Sequence, residues 1–189
     1  MKLKTPTSAA WIAAVLADLD AFLLDHAANE RKASASALAL VAHYPDRREL
    51  VERLIALAIE ELEHFRAVHA RIAERGLTLV PDTRSEYLRR LAAEFREGSE
   101  PYFLDRLLTA AVVEARGCER FGLVAAARPD GALRDFYREL ARSEVRHHEL
   151  YLAHAGAYGP DAEVEERLAE ILEAESRVVA ALPVRSALY

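Results

Sequence analysis

Two strings in this 189-residue chain, Glu61-Leu62-Glu63-His64 and Glu144-Val145-Arg146-His147, read Glu-x-x-His in surroundings that favour helix. Positions three apart on an α-helix share a face, so each string aims a carboxylate and an imidazole at one point. A lone Glu precedes each string at nearly the same distance: Glu30 stands 31 residues before Glu61, and Glu114 stands 30 before Glu144. By itself Glu-x-x-His is weak, since chance alone gives roughly one occurrence in a chain this rich in Glu and His. Its repetition, with the upstream Glu repeated too, is what constrains the fold.

The pattern matters because of where it falls. A short helix runs from a Ser8 cap to about Leu16. A longer one starts at Asp18 or Asp20 and reaches Val41, with the seam Leu16, Leu19, Leu23, His26, Glu30, Ala33, Ala37, Leu40. Pro45 ends it. The next helix runs from about Asp46 to Arg75, stops at Gly76, and has the seam Leu50, Leu54, Leu57, Glu61, His64, Val68. Glu60 and Glu63 lie off that seam and are expected in solvent. Leu77 to Arg84 reads as a loop, and Ser85 opens a shorter helix to about Phe95, broken at Gly98-Ser99. A third long helix spans about Pro101 to Ala127, with the seam Phe103, Leu107, Ala110, Glu114, Gly117, Phe121, Val124. The fourth follows Pro129-Asp130-Gly131, ends near Gly156, and has the seam Leu133, Tyr137, Leu140, Glu144, His147, Tyr151. A last amphipathic helix runs from an Asp161 cap to Leu182. All six motif residues thus stand where apolar side chains belong.

Register follows from counting. If the first pair of helices turns near Pro45, Glu30 lies 15 residues before the turn and Glu61 lies 16 after it. With a turn near Asp130, Glu114 lies 16 before and Glu144 lies 14 after. At about 1.5 Å per residue each pair of carboxylates comes level, so the halves read as copies of one ligand-bearing hairpin. Three residues after each lone Glu stands a small residue, Ala33 or Gly117, which leaves room for metals, imidazoles or substrate. A mid-helix Gly costs about 1 kcal/mol relative to Ala, so Gly117 needs a packing reason.

Four buried carboxylates without counter-charge would each cost several kcal/mol or stay protonated. Two divalent cations neutralise them, and two neutral imidazoles complete the set. A Glu from each of two helices plus Glu-x-x-His from each of two others is the inward-facing ligand set of di-iron and di-manganese carboxylate bundles. The expected fold is therefore all-α: a ferritin-like four-helix bundle with a crossover segment and additional short and terminal helices. It is expected as a single domain over residues 1–189, with a core of about 11–182. The metal ligands are expected to be Glu30, Glu61, His64, Glu114, Glu144 and His147.

Composition narrows the function classes. With 52% hydrophobic and 30% charged residues, 7 Gly and 7 Pro, the chain reads as an ordered helical protein. One Cys excludes an internal disulfide framework and fits a reducing cytosol. No signal peptide is expected from the first residues. No apolar stretch approaches the roughly 18 residues of a membrane span. The net charge of −6 disfavours a general nucleic-acid binder, although four Glu ligands account for much of it.

Other residues draw blander readings. His26, one turn before Glu30, is a pocket-lining residue, a support for that ligand or a core histidine. His148 points about 100° from His147 and is expected beside the ligands or in solvent. His43, His69 and His154 are expected on the surface, Tyr137 and Tyr151 in the core, and Cys118 as a buried small hydrophobe. Arg134, Arg138, Arg142 and Arg146 step by four along one face, a solvated stripe that is also the best phosphate-facing one; Arg84, Arg89 and Arg90 could extend it.

The strings His26-Ala-Ala-Asn-Glu30-Arg-Lys-Ala, Glu60-Glu-Leu-Glu-His64-Phe, Val113-Glu-Ala-Arg-Gly-Cys-Glu-Arg-Phe121 and Ser143-Glu-Val-Arg-His-His-Glu-Leu-Tyr151 resemble the tRNA hydroxylases that act on 2-methylthio-N6-isopentenyladenosine, from about Trp11 to Leu182. That resemblance implies a non-haem di-iron monooxygenase that hydroxylates the isopentenyl group of the modified adenosine beside the anticodon. It implies two Fe ions, O2 as co-substrate, tRNA (through its anticodon loop) as partner, and a cytoplasmic location. Glu30, Glu61 and His64 match one iron's ligands; Glu114, Glu144 and His147 match the other's. No flavin or NAD fingerprint is present, so an external donor of the ferredoxin or reductase type is expected, with a monomer or small oligomer. The same ligand set suits a ferroxidase, a peroxidase or a manganese catalase. A helical interaction module with surface Glu and His is the non-enzymatic alternative.

Overall fold

A computed structural model describes residues 1–128 and 131–189. Among these residues are seven helices and no strand: α1 (Ala9–Ala17), α2 (Leu19–His43), α3 (Arg48–Glu74), α4 (Glu86–Ala92), α5 (Ser99–Ala127), α6 (Ala132–Tyr158) and α7 (Asp161–Ala181). The expected turn at Pro129-Asp130 lies outside the described residues. No described helix is long and apolar enough to cross a membrane. The chain forms two compact units, one of residues 13–83 and 185–188, the other of residues 1–12, 84–184 and 189.

The first unit is a hairpin of α2 on α3. The Asp18 carboxylate accepts from the Ala21 amide at 3.0 Å and starts α2. This cap restarts the helical phase, so Leu16, expected on the α2 seam, is 43% exposed, and Trp11 and Val15 form the buried face of α1. At the far end of α3, Gly76 takes φ 71°. Its amide reaches Ala73 O at 2.9 Å while Leu77 N reaches Ile72 O at 3.1 Å, the paired bonds of a Schellman ending. Leu50, Leu54, Leu57 and Val68 are buried as the seam required.

The second unit is built on α5, against which α6 and α7 both pack, with α4 on α7. Ser85 caps α4 by accepting from Leu88 N, but α4 ends at Ala92 rather than Phe95. Gly98, at φ 95°, then turns the chain into α5, which starts at Ser99 and holds Pro101 in its first turn. Because α5 is covered on both sides, its second face is buried too, and that face is charged. Asp105 receives Arg167 Nε at 2.8 Å, and Arg116 Nε meets Glu175 Oε1 at 2.8 Å. Both partners are on α7 and both pairs advance in the same chain direction, so α5 and α7 run parallel. A seam reading that places one face of each helix inward misses this second contact.

Candidate functional site

In the first unit, Glu30 comes from α2, and Glu61 and His64 from α3. One potential ligand atom from each lies within 4.8 Å of the others. His64 Nδ1 stands 3.4 Å from Glu30 Oε2 and 3.4 Å from Glu61 Oε2. Both carboxylates are buried. His26 is fully buried one turn before Glu30, with Nε2 at 2.6 Å from Glu30 Oε1. Burial alone would raise the Glu30 carboxyl, but the His26 imidazole and the hydrogen bonds from His26 and His64 hold it well below the ordinary range. Burial likewise disfavours the His64 cation, yet the Glu30 and Glu61 carboxylates outweigh it and push this imidazole up to about 9.

In the second unit, Glu114 comes from α5, and Glu144 and His147 from α6, again with one ligand atom from each within 4.8 Å of the others. His147 Nδ1 is 3.7 Å from Glu144 Oε2, and all three residues are buried. Gly117 shows why it lacks a side chain. A Cβ there would lie 3.0 Å from the Tyr189 hydroxyl and 3.7 Å from Glu144 Oε2. That hydroxyl donates to Val113 O at 3.0 Å, and the Tyr189 ring stacks on Tyr87 at 4.9 Å.

Each hairpin is held in register by one matching bond. Ser34, four residues after Glu30, donates to Ala58 O at 2.8 Å, three residues before Glu61. Cys118, four after Glu114, donates to Ala141 O at 3.3 Å, three before Glu144. Cys118 is half-buried, and desolvation raises its thiol, which suits a packing role.

The remaining candidates fall as follows. His43 and His69 are exposed. His154, expected on the surface, is buried instead at 8% exposure, in a helix against which α7 also packs, and its ring stacks on Tyr158. His148 is buried beside the ligand turn, its Nδ1 3.3 Å from Glu144 O, and burial lowers it. Tyr137 and Tyr151 are in the core. Along the arginine stripe, Arg134 and Arg138 meet Asp135, while Arg89 and Arg90 both bond Glu86. Local acids thus answer much of the stripe.

Two buried carboxylates and one converging imidazole per triad are hard and borderline donors suited to a divalent cation of the iron or manganese kind. The model of one protein family, tRNA-(MS[2]IO[6]A)-hydroxylase (MiaE), matches residues 1–186. The chain belongs to this family. It is 37% identical over 174 residues to the tRNA 2-(methylsulfanyl)-N(6)-isopentenyladenosine(37) hydroxylase of Pseudomonas putida, covering 92% of this chain and 84% of that protein. The hydroxylase of the same description from Salmonella typhimurium is 38% identical over 109 residues, 58% of this chain and 40% of that one. Among solved structures, a Synechococcus protein described as having aldehyde deformylating oxygenase activity superposes with a TM-score of 0.92 at 38% identity, covering 97% of this chain and 92% of that one. This MiaE-family chain is thus all-helical with a ferritin-like fold, and its carboxylate and histidine cluster fits a di-metal site. Beyond the six ligand candidates, the sequence reading missed Tyr189, whose only advance signal was the unexplained Gly117.

Proposed function

We propose that this chain hydroxylates the isopentenyl group of 2-methylthio-N6-isopentenyladenosine beside the anticodon of tRNA. Carrying this reading is the family match across residues 1–186, joined to two converging Glu/Glu/His triads whose four carboxylates are buried. In it, residues 1–189 act as one domain and the six ligand candidates serve a di-iron centre, Glu30, Glu61 and His64 toward one iron and Glu114, Glu144 and His147 toward the other. When bound, reduced iron supplies the activation of O2. The protein's residues supply the rest. Four carboxylates balance two divalent cations, His26 fixes Glu30, and the buried surroundings keep water from the reacting group. Overall, an allylic C–H becomes C–OH, one oxygen atom of O2 enters the product, and the other leaves as water with two external electrons and two protons. Those electrons come from a separate ferredoxin or reductase, and the reaction takes place in the cytoplasm, where tRNA is.

Iron-loaded, reduced protein should convert isopentenylated tRNA in the presence of O2 to a nucleoside one oxygen atom heavier, read by mass spectrometry after digestion. No heavier nucleoside, from protein that holds two irons per chain, overturns the reading. The activity in the Synechococcus protein's description favours a second reading, oxygenation of an aldehyde. Loss of a carbon from an aldehyde offered in place of tRNA, with tRNA untouched, would select it.

A further inference from the structure

The outward sides of the two motif helices can be compared residue by residue, because Glu61 and Glu144 are 83 positions apart, as are His64 and His147. On α6 the exposed side reads Asp135, Arg138, Arg142, Val145, Glu149, with Val145 alone uncharged. The same positions on α3, exposed too, are Glu52, Ile55, Ile59, Leu62 and Arg66. A single exposed Ile or Leu is ordinary, but three in succession along one helix face, with Ile59 58% exposed, form a stripe. The hairpin does not require it, since α6 carries the same ligand turn with Arg138, Arg142 and Val145 outside. We propose that this face of α3 docks on a second copy of the chain, α3 against α3 and antiparallel.

The order of charges selects that partner. Glu52 stands seven residues before Ile59 and Arg66 seven after it, so both share its side of the helix. A copy turned over about Ile59 sets Ile59 on the partner's Ile59 and Ile55 on the partner's Leu62. It also sets Glu52 beside the partner's Arg66, twice by symmetry. A parallel copy would instead set Glu52 against Glu52 and Arg66 against Arg66. Within one chain Arg66 pairs with Glu63, and both side chains are more than half exposed, so the guanidinium can also reach across. From Glu52 to Arg66 the stripe is about 21 Å long, short for a permanent dimer, so the association is weak and depends on concentration.

Sedimentation velocity of the native chain, from micromolar to near-millimolar concentration, should show a monomer passing to a dimer. Ile59→Arg, the residue type α6 carries at this position, should keep its melting temperature and stay monomeric over the same range. Glu52→Arg and Arg66→Glu should each weaken the dimer about tenfold by facing like charges, and the two together should restore it. With Cys118 replaced by Ser, Ile59→Cys should cross-link two copies under mild oxidation, because the two thiols meet on the axis. Arg66→Cys, whose copies stand about 21 Å apart, should not. If Ile59→Arg melts early, the charge variants decide. A native chain that is monomeric throughout, as it would be if the stripe served a different protein, overturns the inference. So does a folded Ile59→Arg chain that still dimerises, or a pair of charge variants whose losses add rather than cancel. None of these readouts involves metal or turnover, so the hydroxylase reading is judged separately.

Discussion

Ser34 and Cys118 do the same work in the two hairpins, each reaching across to a backbone carbonyl three residues before the motif Glu of the facing helix. A hydroxyl is the stronger donor, and the Ser34 bond is the shorter at 2.8 Å against 3.3 Å. Ser34→Ala should therefore lower the stability of the metal-free protein by about 1 kcal/mol, while Cys118→Ser should leave it unchanged or raise it. Urea denaturation of the two variants checks this, and a larger loss from Cys118→Ser would contradict it.

Gly117 should tolerate a methyl group in the helix but not in the site. Alanine gains about 1 kcal/mol of helix propensity there, yet its Cβ would stand 3.0 Å from a Tyr189 hydroxyl anchored on Val113 O. Gly117→Ala should keep its melting temperature and weaken metal binding at the second triad. Adding Tyr189→Phe, which removes the crowded oxygen, should restore that binding. A double-mutant cycle on metal affinity reads the coupling.

Arg116 is fully buried and grips Glu175 through two bonds, at 2.8 and 2.9 Å, with further bonds to Glu119 and Thr5 O. Tyr87 donates to the same Glu175 carboxylate at 3.1 Å. Glu175→Gln should cost up to about 3–5 kcal/mol, because the buried Arg116 charge is then balanced by the Glu119 carboxylate alone. Replacing both Arg116 and Glu175 with Met should recover much of that loss. Chemical denaturation of the single and double variants measures both.

Protonation sets the first triad's metal affinity. The folded His64 imidazole is pushed up to about 9 against about 6.5 unfolded, so in metal-free protein it stabilises fully below about 6.5 and loses that contribution as pH rises through 9. Glu30, depressed, stabilises above its unfolded value of about 4.3 and loses that contribution as pH falls through its lower folded one. A cation needs the neutral imidazole, so binding to the first triad at pH 7 should release close to one proton and tighten with pH up to about 9. Calorimetry in buffers of different ionisation enthalpy counts that proton.

The seams of α3 and α6 were legible because alternating three and four steps of apolar residues placed Glu61, Glu144 and His147 inward before any contact was known. The level pairing of Glu30 with Glu61 followed from turn position alone. What sequence could not carry was the second buried face of α5. Arg116 and Asp105 lie off the apolar seam of α5, and their partners on α7 are dozens of positions away, a relation that no local period records. His154 misled for the same reason. Leu16 misled differently, because the Asp18 cap breaks a phase that looked continuous.

All three donors of each triad lie on one helical hairpin, and this orders events during synthesis. His64 precedes His147 by 83 residues. At about 5–20 residues per second, the ribosome releases the earlier hairpin's donor set roughly 4 to 17 seconds before the later set is complete. If the two triads hold metal, Glu30, Glu61 and His64 are therefore on offer to a cation before the later hairpin has left the ribosome.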